Sequence, residues 1–564
     1  MSWKQILSSS RRRSSASSSD ADSIDMQKEA LLGPWPIRAR PLMRLLIRVF
    51  TLLLAIVTVS YLSPTQSPEE RLLKAATGPL AETTFSDNLH DVAAGQRRFV
   101  IVIPADSPNP DLCKLIASAI ALGYPSPVVV NWAQPTLKSE GGFWGPYLGK
   151  ISGTLDYLDR VTLPDASKGD GLDDEDIVLV VDAYDVWFQL PPDVLLQRYH
   201  DTNKRANARL AQQWGTPDGI PMKQTIVVSA QKRCFPTPKG GSNLHCDALP
   251  ASDLPPGVYG AKTDTNAKNY HTVRPRYVNS GSFMGPAGDM KRYFRRVKER
   301  MEKGLSQDLA FPGDQGIFAE IFGEQEVWRQ WRREDHKSAF GGLPDSEGAA
   351  FMQRDYEFHV GLDYTQNLFL PTVYEEDDGV FVALDNKTVV ERHSAKLGIS
   401  PARLLGVPKD MVGSYNPLEE LFSSEPGAGA GPGWGEMPVY ADFYTTAVPV
   451  VLHHNAWKHG LKERRVWWWD QTWFFPHLRP LLELHMRPGK LRPLARLPAR
   501  SGYLEYYAPR SDAEKRKPRA FSRDTYKQGF AEIELGAVCK YEKETDESEK
   551  HWYDEVFRDD KGPF

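Results

Sequence analysis

Short runs of apolar residues alternate with an amphipathic stretch in the first part of the chain after residue 96. Residues 98–104, 127–132, 177–181 and 225–230 are short, rich in β-branched side chains and bounded by polar or turn residues, a pattern typical of buried strands. Apolar and small residues in 112–122 recur at helical spacing. The order predicts a β-α-β opening and an α/β fold with a mostly parallel central sheet.

The strand predicted at 177–181 ends at a pair of carboxylates. Asp182 and Asp185 flank Ala183 and Tyr184, so a tight turn after the strand would aim both acids at one hard cation. Ligands of open α/β sheets bind at the carboxyl ends of the strands. The alternative is an aspartate that only caps the following turn, because a short Asp-x-x-Asp pattern has low specificity.

The amino-terminal region predicts a membrane topology. Residues 1–43 are rich in Ser and Arg and predict a disordered tail, 44–62 are nearly all apolar and predict a transmembrane anchor, and 63–96 predict a polar stem. The basic flank precedes the apolar run, which predicts a cytosolic tail and a luminal domain, in a type II protein of the Golgi or endoplasmic reticulum membrane. Asn386, in Asn-Lys-Thr, would then be a glycosylation acceptor. A cleaved signal peptide is the alternative, but its charged leader would be much shorter.

Composition narrows the choice of partners. The net charge of -4 with mixed signs gives no indication of nucleic-acid binding, and 15 Trp and 22 Tyr suit aromatic-lined clefts. Four cysteines are too few for a disulfide framework in 564 residues. Cys234 and Cys246 are close enough to close a loop in an oxidising compartment, whereas Cys113 and Cys539 cannot be assigned. Four buried free thiols remain the alternative.

Three further segments carry candidate chemistry. Lys150 lies at the start of a helix predicted through Leu158, where a lysine is ordinarily a solvated charge. Asn279-Ser280-Gly281 is a turn that lets the backbone approach a ligand closely. Asp314 precedes a predicted helix, and its structural alternative is an N-cap.

Taken in order, these pieces resemble the glycosyltransferase domain of procollagen lysyl hydroxylases and their collagen-modifying relatives. The resemblance covers residues of about 97–480 and leaves 481–564 as a carboxyl-terminal extension. It rests on the β-α-β opening, the Gly141-Gly142 loop with Lys150, and the segments 181–186, 227–230, 234–236, 278–283, 314–315, 362–364 and 450–455.

The resemblance implies a GT-A fold that uses a UDP-sugar and Mn²⁺ (or Mg²⁺). The metal ligands of the family fall here on Asp182, Asp185 and His453. His454 stands where the family has glycine, so the choice between neighbouring imidazoles stays open. His453 is favoured by register, because adjacent side chains in an extended segment point in opposite directions.

The remaining residues receive roles around the nucleotide sugar. Lys150 would add positive charge near the diphosphate, Tyr184 would stack on uracil, and Ser280 lies in the donor-binding turn. Asn279 would contact sugar hydroxyls. Asp314 would act as a base if the reaction inverts the anomeric centre, or as a positioning group if the reaction retains it.

Two departures leave alternatives open. Gln231 replaces an acidic residue of the family and Phe235 replaces a tryptophan, so the protein or glycan acceptor is expected to be recognised differently. The sequence predicts a membrane-anchored, metal-dependent hexosyltransferase. A non-catalytic sugar-nucleotide or glycan-binding protein and a GDP-mannose-dependent transferase are the alternatives.

Overall fold

The structure is a computed structural model, and the residues it describes begin beyond the predicted membrane anchor. It describes residues 93–564, apart from 134–144, 217–218, 237–242, 267, 308, 310, 312, 338–353, 424–428, 457–462, 489–491, 512–515 and 523–528. The tail, the anchor, nearly all of the stem and the Gly141-Gly142 loop therefore lie outside the described residues. None of the helices that are described is long and apolar enough to cross a bilayer.

Fifteen strands are present in the described part of the chain. They are β1 (Gly95–Pro104), β2 (Val128–Val130), β3 (Ile177–Val181), β4 (Val186–Phe188), β5 (Ile226–Gln231), β6 (Tyr277–Pro286), β7 (Val360–Asp363), β8 (Phe369–Pro371), β9 (Gly379–Ala383), β10 (Pro438–Asp442), β11 (Val451–His453), β12 (Ala495–Ala499), β13 (Gly502–Tyr507), β14 (Arg519–Phe521) and β15 (Phe530–Glu532).

Ten of these strands form one mixed sheet. Its main order is β15-β14-β2-β1-β3-β6-β5-β7, and β13 also pairs with β1 and β12. Pairings of β1 with β2, β3 and β13, of β2 with β14 and of β5 with β7 are parallel. The other four pairings are antiparallel, including both pairings of β6. The α/β class is confirmed, but the sheet is less parallel than predicted, because β6 runs against both of its neighbours.

The helices cover both faces of the sheet. They are α1 (Pro110–Ala121), α2 (Gly145–Val161), α3 (Pro192–Trp214), α4 (Ala287–Leu305), α5 (Gln315–Lys337), α6 (Lys387–Lys396), α7 (Pro417–Ser423), α8 (Arg464–Trp467), α9 (Leu478–Met486), α10 (Leu535–Cys539) and α11 (Trp552–Val556).

Alternation along the central strands divides the core into two clusters. Phe99, Ile101 and Ile103 of β1 pack with α1, while Val100 and Val102 point to the opposite face and pack with α2, α4 and α5. Residues i and i+2 of a strand share a face, so a strand that is apolar throughout fills both layers. Because both faces of β3 are buried, the position of its carboxyl end in the fold is fixed.

The predicted carboxyl-terminal extension, 481–564, belongs to the same sheet. It contributes β12, β13, β14 and β15, and its helix α10 is joined to α1 by a disulfide between Cys113 and Cys539. A second disulfide joins Cys234 and Cys246, and no described cysteine is free. The free-thiol alternative is therefore wrong.

A small sheet beside the main one positions a distant segment. Its order is β4-β11-β8, and β11 runs antiparallel to β4 and parallel to β8. In this register His453 lies opposite Val186, the residue that follows Asp185. Residues almost 270 positions apart in the sequence therefore meet at the end of β3.

Candidate metal centre

The two acids of the Asp-x-x-Asp segment leave the sheet together at the carboxyl end of β3. The backbone N–H of Asp182 donates to the carbonyl of Gly281 at 2.9 Å, which continues the pairing of β3 with β6 by one residue. β4 begins immediately after Asp185. The Asp182 side chain is 28% exposed and that of Asp185 is 11% exposed. The Asp182 carboxylate is thus more accessible to solvent than that of Asp185.

His453 brings an imidazole to these carboxylates from the end of β11. Its Nε2 is 3.3 Å from Asp185 Oδ1 and 3.7 Å from Asp182 Oδ2. One potential ligand atom of each of the three residues lies within 4.8 Å of the others. The approach requires a glycine at 281, because a Cβ there would lie 2.3 Å from the His453 ring.

The donor set of this cluster fits a divalent cation. Two carboxylate oxygens and one imidazole nitrogen suit Mn²⁺, Zn²⁺ or Fe²⁺, and a hard ion such as Mg²⁺ would be held chiefly by the oxygens. Three protein ligands do not complete the coordination of such an ion, so water or substrate oxygens would supply the rest. Asp182, Asp185 and His453 would hold the ion.

His454 is turned away from this cluster. Its side chain is fully buried, its ring lies 4.1 Å from the Trp187 ring, and neither ring nitrogen has a hydrogen-bond partner among the described residues. Burial lowers the pKa of His454 to about 3, against the opposing effect of Asp185, so the imidazole is neutral. Of the two adjacent histidines, the geometry places only His453 with the acids.

Lys150 brings one positive charge to the acids of the site. Its Nζ is 2.6 Å from Asp182 Oδ1, 2.7 Å from Asp314 Oδ2 and 2.9 Å from the Ser280 carbonyl oxygen. Burial works to lower the pKa of Lys150, but Asp182 and Asp314 outweigh it and hold the pKa above its usual value. The ammonium thus donates a hydrogen bond to the Ser280 carbonyl and forms ion pairs with the two carboxylates.

Lys150 also lies deeper in its helix than the sequence predicts. The helix α2 begins at Gly145, so Lys150 is in its second turn. The side chain is 7% exposed, which excludes the solvated surface lysine. Its length lets the ammonium reach from the helix layer to the end of the sheet.

Asp314 occupies the position before α5 and still directs its carboxylate into the site. The backbone carbonyl of Asp314 accepts hydrogen bonds from the N–H groups of Ile317 and Phe318. Its side chain is 7% exposed and ion-pairs with Lys150. The backbone of Asp314 thus starts the helix, while its carboxylate shares the Lys150 ammonium with Asp182.

Tyr184 points to the opposite side of the turn. Its hydroxyl lies 3.2 Å from Asp106 Oδ1 and 3.1 Å from the Ser107 carbonyl oxygen, which ties the turn to the end of β1. Burial raises the pKa of Tyr184 to about 12. The ring is half-buried and packs against the core, and its hydroxyl is held near the end of β1.

Ser280 and Asn279 contribute to the site in a way that the sequence does not reveal. Ser280 acts through its backbone, accepting from Lys150 and placing its N–H 3.4 Å from Gln315 Oε1. Asn279 is 2% exposed and contacts His453 and Gln231. The sequence related Gln231 only to acceptor recognition and gave Gln315 no role, whereas the structure places both beside Asn279 and Ser280.

A second charged cluster is buried next to the end of β5. Lys232 is fully buried, with Nζ 2.9 Å from Asp378 Oδ2 and 4.0 Å from Glu375 Oε1. Burial, with Asp442 and Asp378 nearby, raises the pKa of Glu375 to about 8. Burial and Asp378 raise the pKa of Asp442 to about 7. One cation therefore faces three acids, and two of them, Glu375 and Asp442, have raised pKa values.

No family model matches the chain, and no curated protein sequence matches it. A solved structure with some likeness is a galactosyltransferase, LgtC, in complex with donor and acceptor sugar analogues. The match has a TM-score of 0.24 and 12% identity, and covers 68% of this chain and 95% of that chain. A likeness at that TM-score and identity does not establish the function of this chain.

Proposed function

We propose that the chain is a metal-dependent glycosyltransferase of GT-A type that moves a hexose from a UDP-sugar to a protein or glycan acceptor. The observation that carries the proposal is the meeting of Asp182, Asp185 and His453 at the carboxyl end of β3, beside the ion-paired Lys150 and Asp314. Ligands of open α/β sheets bind at this edge.

The site suits a reaction that leaves negative charge on a diphosphate. A divalent ion held there would stabilise the departing UDP as a Lewis acid. Lys150 keeps Asp182 and Asp314 from repelling each other and contributes positive charge at the same edge. Tyr184, whose hydroxyl is held by Asp106 and Ser107, is the residue that we assign to stacking on uracil.

Asp314 is the carboxylate that we assign to the sugar-transfer step. It does not belong to the cluster of potential metal ligands, yet Lys150 connects it to Asp182. As a base it would take the proton of the acceptor hydroxyl in an inverting reaction, and as a fixed anion it would position the donor sugar in a retaining one.

The cysteines and the amino-terminal sequence support a proposal for the compartment. Two disulfides involve all four cysteines of the chain, and disulfides persist in oxidising compartments. We therefore propose a luminal catalytic domain in the Golgi or endoplasmic reticulum, anchored by residues 44–62.

Equilibrium binding tests the donor. UDP-glucose, UDP-galactose and GDP-mannose are titrated into the full-length protein with Mn²⁺ and with EDTA. We expect Mn²⁺-dependent binding of a UDP-sugar. Preference for GDP-mannose would replace the proposed donor, and equal binding in EDTA would refute the metal dependence.

A further inference from the structure

A chain of hydrogen bonds runs from the backbone of Arg233 to the imidazole of His453. Gln231 Nε2 donates to the Arg233 carbonyl oxygen at 2.7 Å, and Gln231 Oε1 accepts from Asn279 Nδ2 at 3.0 Å. Asn279 Oδ1 then lies 3.1 Å from His453 Nδ1. Two uncharged side chains thus connect the end of β5 to the candidate metal ligand.

The direction of every bond in this chain is set by its two backbone ends. A carbonyl can only accept, so the Gln231 amide must turn its nitrogen to Arg233 and its oxygen to Asn279. The Gly281 N–H can only donate, and it donates to Asn279 Oδ1 at 3.0 Å. Both ends give the same orientation of the Asn279 amide, with its oxygen towards His453. An oxygen at that place requires a proton on His453 Nδ1.

Burial prevents the alternative orientation. Gln231 is 4% exposed, Asn279 is 2% exposed and His453 is 4% exposed, so water does not replace a lost partner easily. Turning the Asn279 amide over would bring its NH₂ group against the Gly281 N–H and its oxygen against Gln231 Oε1. Buried contacts of a donor with a donor, or of an acceptor with an acceptor, are strongly disfavoured because neither group is hydrogen-bonded.

We infer that Asn279 and Gln231 are positioning residues that hold His453 with a proton on Nδ1 and with Nε2 directed at Asp182 and Asp185. The inference rests on the proposed metal site, in which Nε2 would be the ligand atom. Histidine ligands are commonly oriented by a partner on the other ring nitrogen. The inference also gives Asn279 a different role from the sugar-hydroxyl contact predicted from the sequence, because the Asn279 amide already forms hydrogen bonds within the protein.

Histidine tautomers report on the inference without any metal. Full-length protein labelled with ¹⁵N-histidine is studied by NMR in EDTA, and the His453 signals are assigned by comparison with His453→Gln. We expect Nδ1 of His453 to be protonated in the wild type. Asn279→Asp keeps an oxygen towards both Gly281 and His453, so the protonated Nδ1 should persist. Asn279→Leu removes the acceptor, so a population with the proton on Nε2 alone should appear.

Mn²⁺ affinity, measured by electron paramagnetic resonance on the same proteins, supplies the second readout. Removing an outer partner of a histidine ligand commonly weakens metal binding by about 10–100-fold, and we expect a loss in that range for Asn279→Leu. Asn279→Asp keeps the acceptor for His453 Nδ1 but loses the donor to Gln231 Oε1, so its loss of Mn²⁺ affinity should be smaller than that of Asn279→Leu. Gln231→Met removes the link between Arg233 and Asn279 but leaves the hydrogen bond from Gly281 to Asn279. Its loss of Mn²⁺ affinity should therefore be smaller than that of Asn279→Leu.

The outcomes separate this inference from the proposed function. A wild-type protein that does not bind Mn²⁺ but has Nδ1 of His453 protonated would refute the metal site and leave the positioning intact. A wild-type His453 with its proton on Nε2 alone would overturn the inference. Unchanged tautomer and unchanged Mn²⁺ affinity in both Asn279→Leu and Gln231→Met would overturn it as well, and Gln231→Met decides the matter if the leucine variant does not fold.

Discussion

Replacing Lys150 by methionine should destabilise the metal-free protein strongly. The ammonium lies 2.6 Å from Asp182 Oδ1 and 2.7 Å from Asp314 Oδ2, and the Lys150 and Asp314 side chains are each 7% exposed. Methionine preserves the length of the side chain and removes its charge. Two acids would then remain at the end of the sheet without their common cation.

The expected loss follows from burial. At an effective dielectric constant of about 20, each contact contributes about 6 kcal/mol of attraction before the cost of desolvation is subtracted. Removing one partner of a buried ion pair costs about 3–5 kcal/mol. Asp182 is 28% exposed and partly screened by water, so most of the loss should come from Asp314. We expect Lys150→Met to lower the free energy of unfolding by about 3–5 kcal/mol.

Urea unfolding in EDTA, followed by tryptophan fluorescence, measures this loss. Lys291→Met is the matched control, since Lys291 pairs with Asp159 at 3.5 Å on the surface and should contribute less than about 1 kcal/mol. Adding Asp314→Asn to Lys150→Met should recover part of the stability by removing one unpaired charge. A Lys150→Met protein as stable as the control would refute the electrostatic account of Lys150.

Three further predictions follow from particular side chains. Asp314→Asn should reduce sugar transfer by about 10²-fold with little change in UDP-sugar affinity, and transfer near the wild-type rate would return Asp314 to a structural role. Glu375 has a pKa of about 8 in the folded protein against an ordinary 4.5, so the folded state binds its proton more tightly than the unfolded state does. The contribution of this group to stability should therefore be complete below pH 4.5 and fall as the pH rises to about 8. The fall should be at most about 1.4 kcal/mol per pH unit. Glu375→Gln should flatten that fall in urea titrations at different pH values, and an unchanged slope would contradict the assignment. Asn386 is exposed at the start of α6 and should carry a glycan, so the Asn386→Gln protein should migrate faster on a gel than the wild type. Equal migration would contradict a luminal domain.

The strands and the two acids could be predicted from the sequence because local patterns determine them. Five apolar residues, 177–181, followed by Asp182 define a buried strand and its end whatever the rest of the chain does. The preference for His453 over His454 combined the register of the family resemblance with the alternation of side chains along an extended segment, and the structure places only His453 with the acids.

Non-local pairings could not be predicted in the same way. β14 has three residues, 519–521, between segments rich in charge, so no pattern distinguishes it from a loop until β2 pairs with it. The disulfide between Cys113 and Cys539 joins residues 426 positions apart, so it too depends on packing between distant parts of the chain. Asn279 was assigned to sugar hydroxyls because an isolated amide offers a donor and an acceptor, whereas its actual partners come from β5 and β11.

Metal-dependent release of UDP tests the central claim most directly. Full-length wild-type, Asp182→Ala and Asp185→Ala proteins are incubated with UDP-hexoses in Mn²⁺ or EDTA, and free UDP is measured over time. The account predicts UDP release by the wild type only with Mn²⁺, and none above background by either variant, both of which should remain folded. Equal release by the wild type and both variants, or release by the wild type in EDTA, would contradict it.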